Sequence, residues 1–168
     1  MPTVVLSIGN DVSTDVIYPG RFMATVLPSE TPQFAFADNA LFNARLKANA
    51  IAPGSIIAAG KNFGCGSSRE QAVSALKGYD LVIVAKDFAR IFLQNGINLG
   101  LRMVICPGFE ASEGDDVEIS DGQVVNKTTG KKFLAEPLLE ARQSILNAGG
   151  LIPYTRRRLL ASSGQTSP

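Results

Sequence analysis

Residues 55–71 read Ser55-Ile56-Ile57-Ala58-Ala59-Gly60-Lys61-Asn62-Phe63-Gly64-Cys65-Gly66-Ser67-Ser68-Arg69-Glu70-Gln71. The opening apolar run has the character of a buried strand. Glycines at 60, 64 and 66 then let the backbone bend sharply and come close to a ligand. A helix is predicted over residues 69–77, with Gly78 where a helix C-terminal glycine belongs. Ser67, Ser68 and Arg69 therefore stand at a helix start, where unpaired amides and the positive end of the dipole meet two hydroxyls and a fixed cation. Such a combination suits a carboxylate or a phosphate. The same residues also fit a structural role, because Ser67 with Glu70 and Ser68 with Gln71 both have capping-box spacing. Two phosphate motifs are excluded. Arg69 stands where the dinucleotide fingerprint needs its third glycine, and no P-loop lysine follows a four-residue spacer. No nucleophile elbow is present either.

Outward from this stretch, residues 81–85 form a continuous apolar run typical of a strand covered on both faces. A short helix is predicted over 88–93 and a strand over 102–106. Strand, helix, strand, helix, strand implies parallel pairing with right-handed crossovers. Upstream, residues 4–8 read as a strand and 10–18 as a polar loop carrying Asp11 and Asp15. Residues 39–49 have helical character, with Leu41, Phe42, Arg45 and Leu46 at a 3.6-residue period, and Pro53-Gly54 ends it. Downstream, Asp121-Gly122 between short apolar runs is a hairpin signal, with a third short strand near Lys132-Phe133. Residues 137–148 read as a helix closed by Gly149-Gly150. Residues 161–168 are rich in Ser, Gly and Pro and are expected to be a disordered tail. This leaves residues 1–160 as a single domain.

The chain has 168 residues, is 45% hydrophobic and carries a net charge of +1. It has apolar residues enough for one core and no charge excess to attract nucleic acid or an anionic membrane. Arg156-Arg157-Arg158 reads as a solvated helix end. No apolar stretch is long enough to span a bilayer, and no signal-peptide pattern opens the chain; with no disulfide framework, the expected location is the cytoplasm. Cys65 and Cys106 lack metal-site spacing, and Cys65 reads as a small packed residue. Histidine is absent, which removes Ser-His-Asp and Cys-His machinery from this chain and the usual near-neutral proton carrier. Chemistry here falls to serine, carboxylate, lysine or tyrosine, or to a partner.

Residues 62–70, Asn-Phe-Gly-Cys-Gly-Ser-Ser-Arg-Glu, resemble the signature of the swivelling domain of the aconitase superfamily, and in particular of 3-isopropylmalate dehydratase small subunits. Three further segments agree in order and spacing. Residues 14–22, Thr-Asp-Val-Ile-Tyr-Pro-Gly-Arg-Phe, are similar to the family's Asp-Thr-Asp-x-Ile-Ile-Pro segment. Residues 87–101 resemble its Phe-Ala-x-Ile-Phe stretch with the asparagines that follow, here Asn95 and Asn98, which read as loop-bracing amides. Residues 149–154 resemble the closing segment of the short small subunits.

The resemblance implies an α/β swivelling β/β/α fold, a mixed parallel sheet plus hairpin strands. It implies dehydration and rehydration of a 2-hydroxy polycarboxylate, the interconversion of 2- and 3-isopropylmalate in leucine biosynthesis. The [4Fe–4S] cluster that serves as Lewis acid is expected on a large partner subunit, with no metal held by this chain. A homo-oligomer is an open alternative for the isolated chain. By motif position, Ser67 is the expected base on the substrate carbon and Asp15 the expected acidic side chain of the catalytic site that orients site groups, with a turn aspartate as its structural alternative. Ser68 and Arg69 are expected to hold a substrate carboxylate. Arg21, Phe22, Met23 and Ala24 are the expected specificity segment: relatives that take a third carboxylate place an arginine near position 24, so Ala24 points to an alkyl substituent.

Gln71, Val73 and Ser13 depart from the family's His, Pro and Asp. They leave open a related hydro-lyase of dimethylmalate, methylmalate or homoaconitate type. A stand-alone carboxylate-binding or assembly module is the non-enzyme alternative.

Overall fold

The computed structural model describes residues 1–120 and 122–163. Four strands, β1 (Val4–Ile8), β2 (Ile56–Ala59), β3 (Val82–Ala85) and β4 (Arg102–Ile105), form a parallel sheet in the order β1-β2-β3-β4. Because spatial order follows chain order, right-handed crossovers place every connection on the same face. Those connections are α1 (Thr14–Ile17), α2 (Ala40–Lys47), α3 (Glu70–Gly78) and α4 (Arg90–Leu99), with 3-10 turns at Gly20–Phe22 and Thr31–Phe34.

The opposite face is covered by an antiparallel sheet of β5 (Val117–Ser120), β6 (Gln123–Asn126) and β7 (Lys132–Leu134). Strand alternation divides the core accordingly. Ile57, Ala59, Ile83, Ala85 and Met103 face the helices with Leu76, Phe92 and Ile97. Ile56, Ala58, Val82 and Val84 face β5 and β6 with Val117 and Val124. In β1 a register irregularity between Val4 and Leu6 interrupts the alternation, and Val5 and Leu6 both join the helical side. The architecture is the β/β/α arrangement expected from the sequence.

Several local expectations change. The polar loop over 10–18 contains the helix α1, capped by the Ser13 hydroxyl on the Val16 amide. Helix α4 runs on to Leu99, so Asn95 and Asn98 are helical rather than loop residues, and Asn98 accepts from Gln94 at 3.0 Å. Gly78 is the last residue of α3 and does not adopt the left-handed cap; Asp80 does, at φ 50°. Gly78 is needed for space instead, since a Cβ there would overlap the Pro32 ring. Of the expected hairpin turn, Gly122 has φ 75° and Asp121 lies outside the described residues. After α5 (Glu140–Asn147), a further helix, α6 (Leu151–Ser163), takes in the first three residues of the expected tail. Residues 164–168 lie outside the described residues.

Candidate active site

The loops leaving β1, β2 and β3 emerge at the same end of the parallel sheet, the end at which open α/β sheets bind ligands. The loop after β2 is stitched to both neighbours. On one side Asp11 donates its amide to Lys61 O, Gly64 to Val12 O and Thr14 to Cys65 O, each at 2.8 Å. On the other, Asn62 donates its amide to the Asp87 carboxylate at 2.5 Å, and Ala89 donates to Phe63 O at 2.9 Å. Asn62, Gly64 and Gly66 all take positive φ, at 58°, 82° and 89°. Gly64 is constrained twice, because a Cβ would also drive into the Phe92 ring.

This stitching aims Ser67 and Ser68 into a cleft of about 640 Å³, which Arg69, Arg90, Asn95 and Arg142 also line. The Ser67 carbonyl accepts from Thr14 Oγ1 at 2.8 Å and from the Arg69 amide at 2.9 Å, so the backbone is fixed. Both serines are exposed, and neither hydroxyl has a hydrogen-bond partner among the described residues. Neither expected capping box forms. Arg69 is the N-cap of α3, with no side-chain acceptor on the first amides. The helix start is thus left open to a ligand, next to two free hydroxyls.

Arg69 is held from behind. Its Nη1 donates to the Asp15 carboxylate and, at 3.1 Å, to the Tyr18 carbonyl. Asp15 also accepts the Gly20 amide at 2.9 Å. The Arg69 hydrogen bond, then the Gly20 amide, hold the Asp15 carboxyl below its ordinary range. Asp15 is therefore ionised at neutral pH and positions Arg69. It also accepts from backbone, as a turn aspartate would. The Nε and Nη2 of Arg69 keep their hydrogen-bonding capacity among the described residues.

None of Arg21, Phe22, Met23 and Ala24 lines this cleft; Arg21 lines a separate hollow with Asp15, Gly20 and Asp38. Arg21 is engaged by Asp38 through both terminal nitrogens, at 2.5 and 3.2 Å, and lies 4.6 Å over the Phe22 ring. Phe22 stacks on Phe34 at 4.1 Å, whereas Met23 and Ala24 are exposed. Gln71 donates to Met23 O at 3.4 Å and ties this segment to the first turn of α3. Sequence reasoning does not single out Arg142 or Arg90 as site residues. Arg142 comes from α5, outside every motif, and only tertiary structure brings it to Ser67.

No cluster of three metal-ligating side chains occurs among the described residues. Cys106 is fully buried, with its sulfur on Leu134 O at 3.2 Å, and burial pushes its thiol up. Cys65 and Cys106 are both free. With two cysteines and no histidine, the donor set does not fit an iron–sulfur cluster.

A sheet with all crossovers on one face, an antiparallel cover on the other and a Ser-Ser-Arg loop at the strand ends defines an aconitase-type swivelling domain, and the aconitase C-terminal domain model matches residues 12–107. The chain belongs to this family, among its 3-isopropylmalate dehydratase small subunits. It is 41% identical to an isopropylmalate/citramalate isomerase small subunit of Methanocaldococcus jannaschii over 94% of this chain and 95% of that one. It is 40% identical to a 3-isopropylmalate dehydratase small subunit of Thermodesulfovibrio yellowstonii, over 92% and 93%. A crystal structure of a 3-isopropylmalate dehydratase from M. jannaschii superposes with a TM-score of 0.88 at 38% identity, covering 97% of both chains.

Proposed function

We propose that this chain supplies the serine-loop wall of a dehydratase active site that interconverts 2- and 3-isopropylmalate, and that it works only with a large subunit carrying the [4Fe–4S] cluster. The observation that carries this reading is the pair of unpartnered hydroxyls, Ser67 and Ser68, at an open helix start beside an arginine held by Asp15. The cluster, when bound by the partner, supplies the Lewis acid for the departing hydroxyl. No step of this chain passes through it.

Ser67 Oγ takes the proton from the substrate carbon next to a carboxylate. A neutral hydroxyl is a weak base, so its alkoxide needs local stabilisation. The open amides of α3 and the Arg69 guanidinium are the groups of this chain that provide it. Ser68 and the Nε–Nη2 edge of Arg69 hold the neighbouring carboxylate. The segment 21–24 sets the alkyl preference, with Arg21 neutralised by Asp38. Cytoplasmic location accords with this metabolic role, and no helix among the described residues is long and apolar enough to cross a membrane.

A related alkyl-malate substrate is the second reading. It is favoured by the M. jannaschii relative, whose name pairs isopropylmalate with citramalate. Co-expression with candidate large subunits, followed by hydration assays on isopropylmaleate, citraconate, dimethylmaleate and homoaconitate, tests both. Activity on isopropylmaleate only with a large subunit is expected. Robust turnover by the chain alone, purified free of iron, would overturn the proposal.

A further inference from the structure

Arg69 owes its place to a short stretch of chain, residues 15–20. Its guanidinium takes the Asp15 carboxylate and the Tyr18 carbonyl, and it lies so close over Gly20 that a Cβ there would stand 3.3 Å from Nη2. Asp15 uses only one oxygen for this. Its Oδ1 accepts both Arg69 and the Gly20 amide, whereas Oδ2 has no partner among the described residues. The Asp15 side chain is 63% exposed and faces a hollow of about 470 Å³ that Gly20, Arg21, Asp38 and Asn39 also line. An open carboxylate oxygen attracts any cation free to approach it.

One such cation borders the same hollow. Arg21, the residue after Gly20, is drawn away from Asp15 by Asp38, which takes both its terminal nitrogens. Asp38 is itself well fixed. It precedes Asn39, whose side chain accepts the Phe42 amide at 3.2 Å and caps α2, and the fully buried Phe36 donates its amide to Ile17 O at 2.7 Å. The Arg21 hydrogen bond holds the Asp38 carboxyl below its ordinary range, and the charge of nearby Asp15 works against it. The two ion pairs, Arg21–Asp38 and Arg69–Asp15, thus stand side by side on one hollow.

We infer that Asp38 is a positioning residue for Arg69: by holding Arg21, it keeps a competing guanidinium from the open oxygen of Asp15 and leaves Asp15 to grip Arg69. A second guanidinium on the same carboxylate would share its charge and repel the first. Asp38 does not line the serine-loop cleft, so it acts only through these side chains. The inference rests on the reading of Arg69 as a holder of a substrate carboxylate and adds a residue to it. Its consequence has a distinctive sign. If the Arg21–Asp38 pair only braced the turn, removing both partners would be no better than removing one. If Asp38 restrains a competitor, removing Asp38 alone is the harmful change, and removing Arg21 as well relieves it.

The test uses the assembled two-subunit enzyme with Asp38→Asn, Asp38→Glu and the double variant Asp38→Asn/Arg21→Gln. Asp38→Asn is expected to raise KM for isopropylmalate about fivefold, the upper range for an exposed ion pair, with kcat less changed. Asp38→Glu keeps the anion and should stay closer to wild type. The double variant should have a lower KM than Asp38→Asn. An unchanged KM in Asp38→Asn would overturn the inference, and so would a double variant no better than Asp38→Asn. A wild-type pair that fails to act on isopropylmalate would instead refute the proposed function. A crystal structure of the Asp38→Asn chain by itself then decides the inference: Arg21 bonded to Asp15 supports it, and Arg21 elsewhere with Arg69 undisturbed overturns it.

Discussion

The carboxylate of Asp15 holds Arg69 by a single nitrogen, Nη1, and among the described residues the Nε–Nη2 edge of the guanidinium is left uncommitted. A planar side chain gripped on one edge presents the other at a fixed angle. Lysine cannot do this, because its ammonium is a point charge. Arg69→Lys is therefore expected to raise KM about tenfold or more with a smaller change in kcat, as steady-state kinetics of the assembled enzyme would show. An unchanged KM would contradict the carboxylate-binding role.

Asp15 gives a pH prediction with a definite sign. Its carboxyl is held below its ordinary value, so its stabilising effect is complete above the unfolded-state value of about 3.9 and is lost as pH falls through the lower folded value. It cannot produce an activity limb between about pH 5 and 8. Asp15→Asn should lower turnover by loosening Arg69 yet leave any limb in that range where it was. Disappearance of the limb in the variant would assign it to Asp15 after all.

Ser67→Ala should reduce kcat roughly 10²- to 10⁴-fold, the usual contribution of a positioned base. The Ser67 hydroxyl bonds nothing among the described residues, and the loop is fixed through the Ser67 carbonyl. Thermal stability and subunit association should therefore stay at wild-type values. Near-wild-type turnover would remove Ser67 from the base role.

At Gly64 two penalties combine, a positive φ and collision with the Phe92 ring. Gly64→Ala is expected to cost about 2–4 kcal/mol in chemical denaturation. It should also displace the serine loop, so activity falls further than stability alone accounts for. A variant of wild-type stability would show that the loop can relax around the methyl group.

The two thiols should differ in reactivity. Cys65 is half-buried beside the cleft, whereas Cys106 is fully buried and its thiol is pushed up by burial, with Glu136 adding to the effect. A thiolate-selective reagent should modify Cys65 first in the native chain and reach Cys106 only on unfolding. Mass mapping of the labelled peptides distinguishes them, and early labelling at Cys106 would contradict its buried placement.

Much of the framework is legible in the amino-acid sequence, because it rests on local pattern. The apolar runs at 55–59 and 81–85 are nearly uniform, as strands covered on both faces must be, and these and the run at 4–8 each lie within a residue of the observed strand. The serine loop declares itself through its glycines. Features that depend on distant neighbours leave no such mark. Gly78 looks like a helix cap, yet Pro32, far away in sequence, decides its role. Ser67 and Ser68 have capping spacing, yet among the described residues their hydroxyls stay free, because the loop is fastened through its backbone to residues 11–14 and 87–89. Helix α6 begins directly after Gly149-Gly150, which read locally as an ending. Arg142 belongs to no motif and reaches the cleft only because α5 packs on α4.

The fastening of the serine loop on both flanks has a practical corollary for protein engineers. Transplanting residues 60–69 alone into another scaffold would carry the chemistry without its mould. The smallest transferable unit is three separate strips of chain, and each recipient framework would have to offer a parallel strand beside either flank.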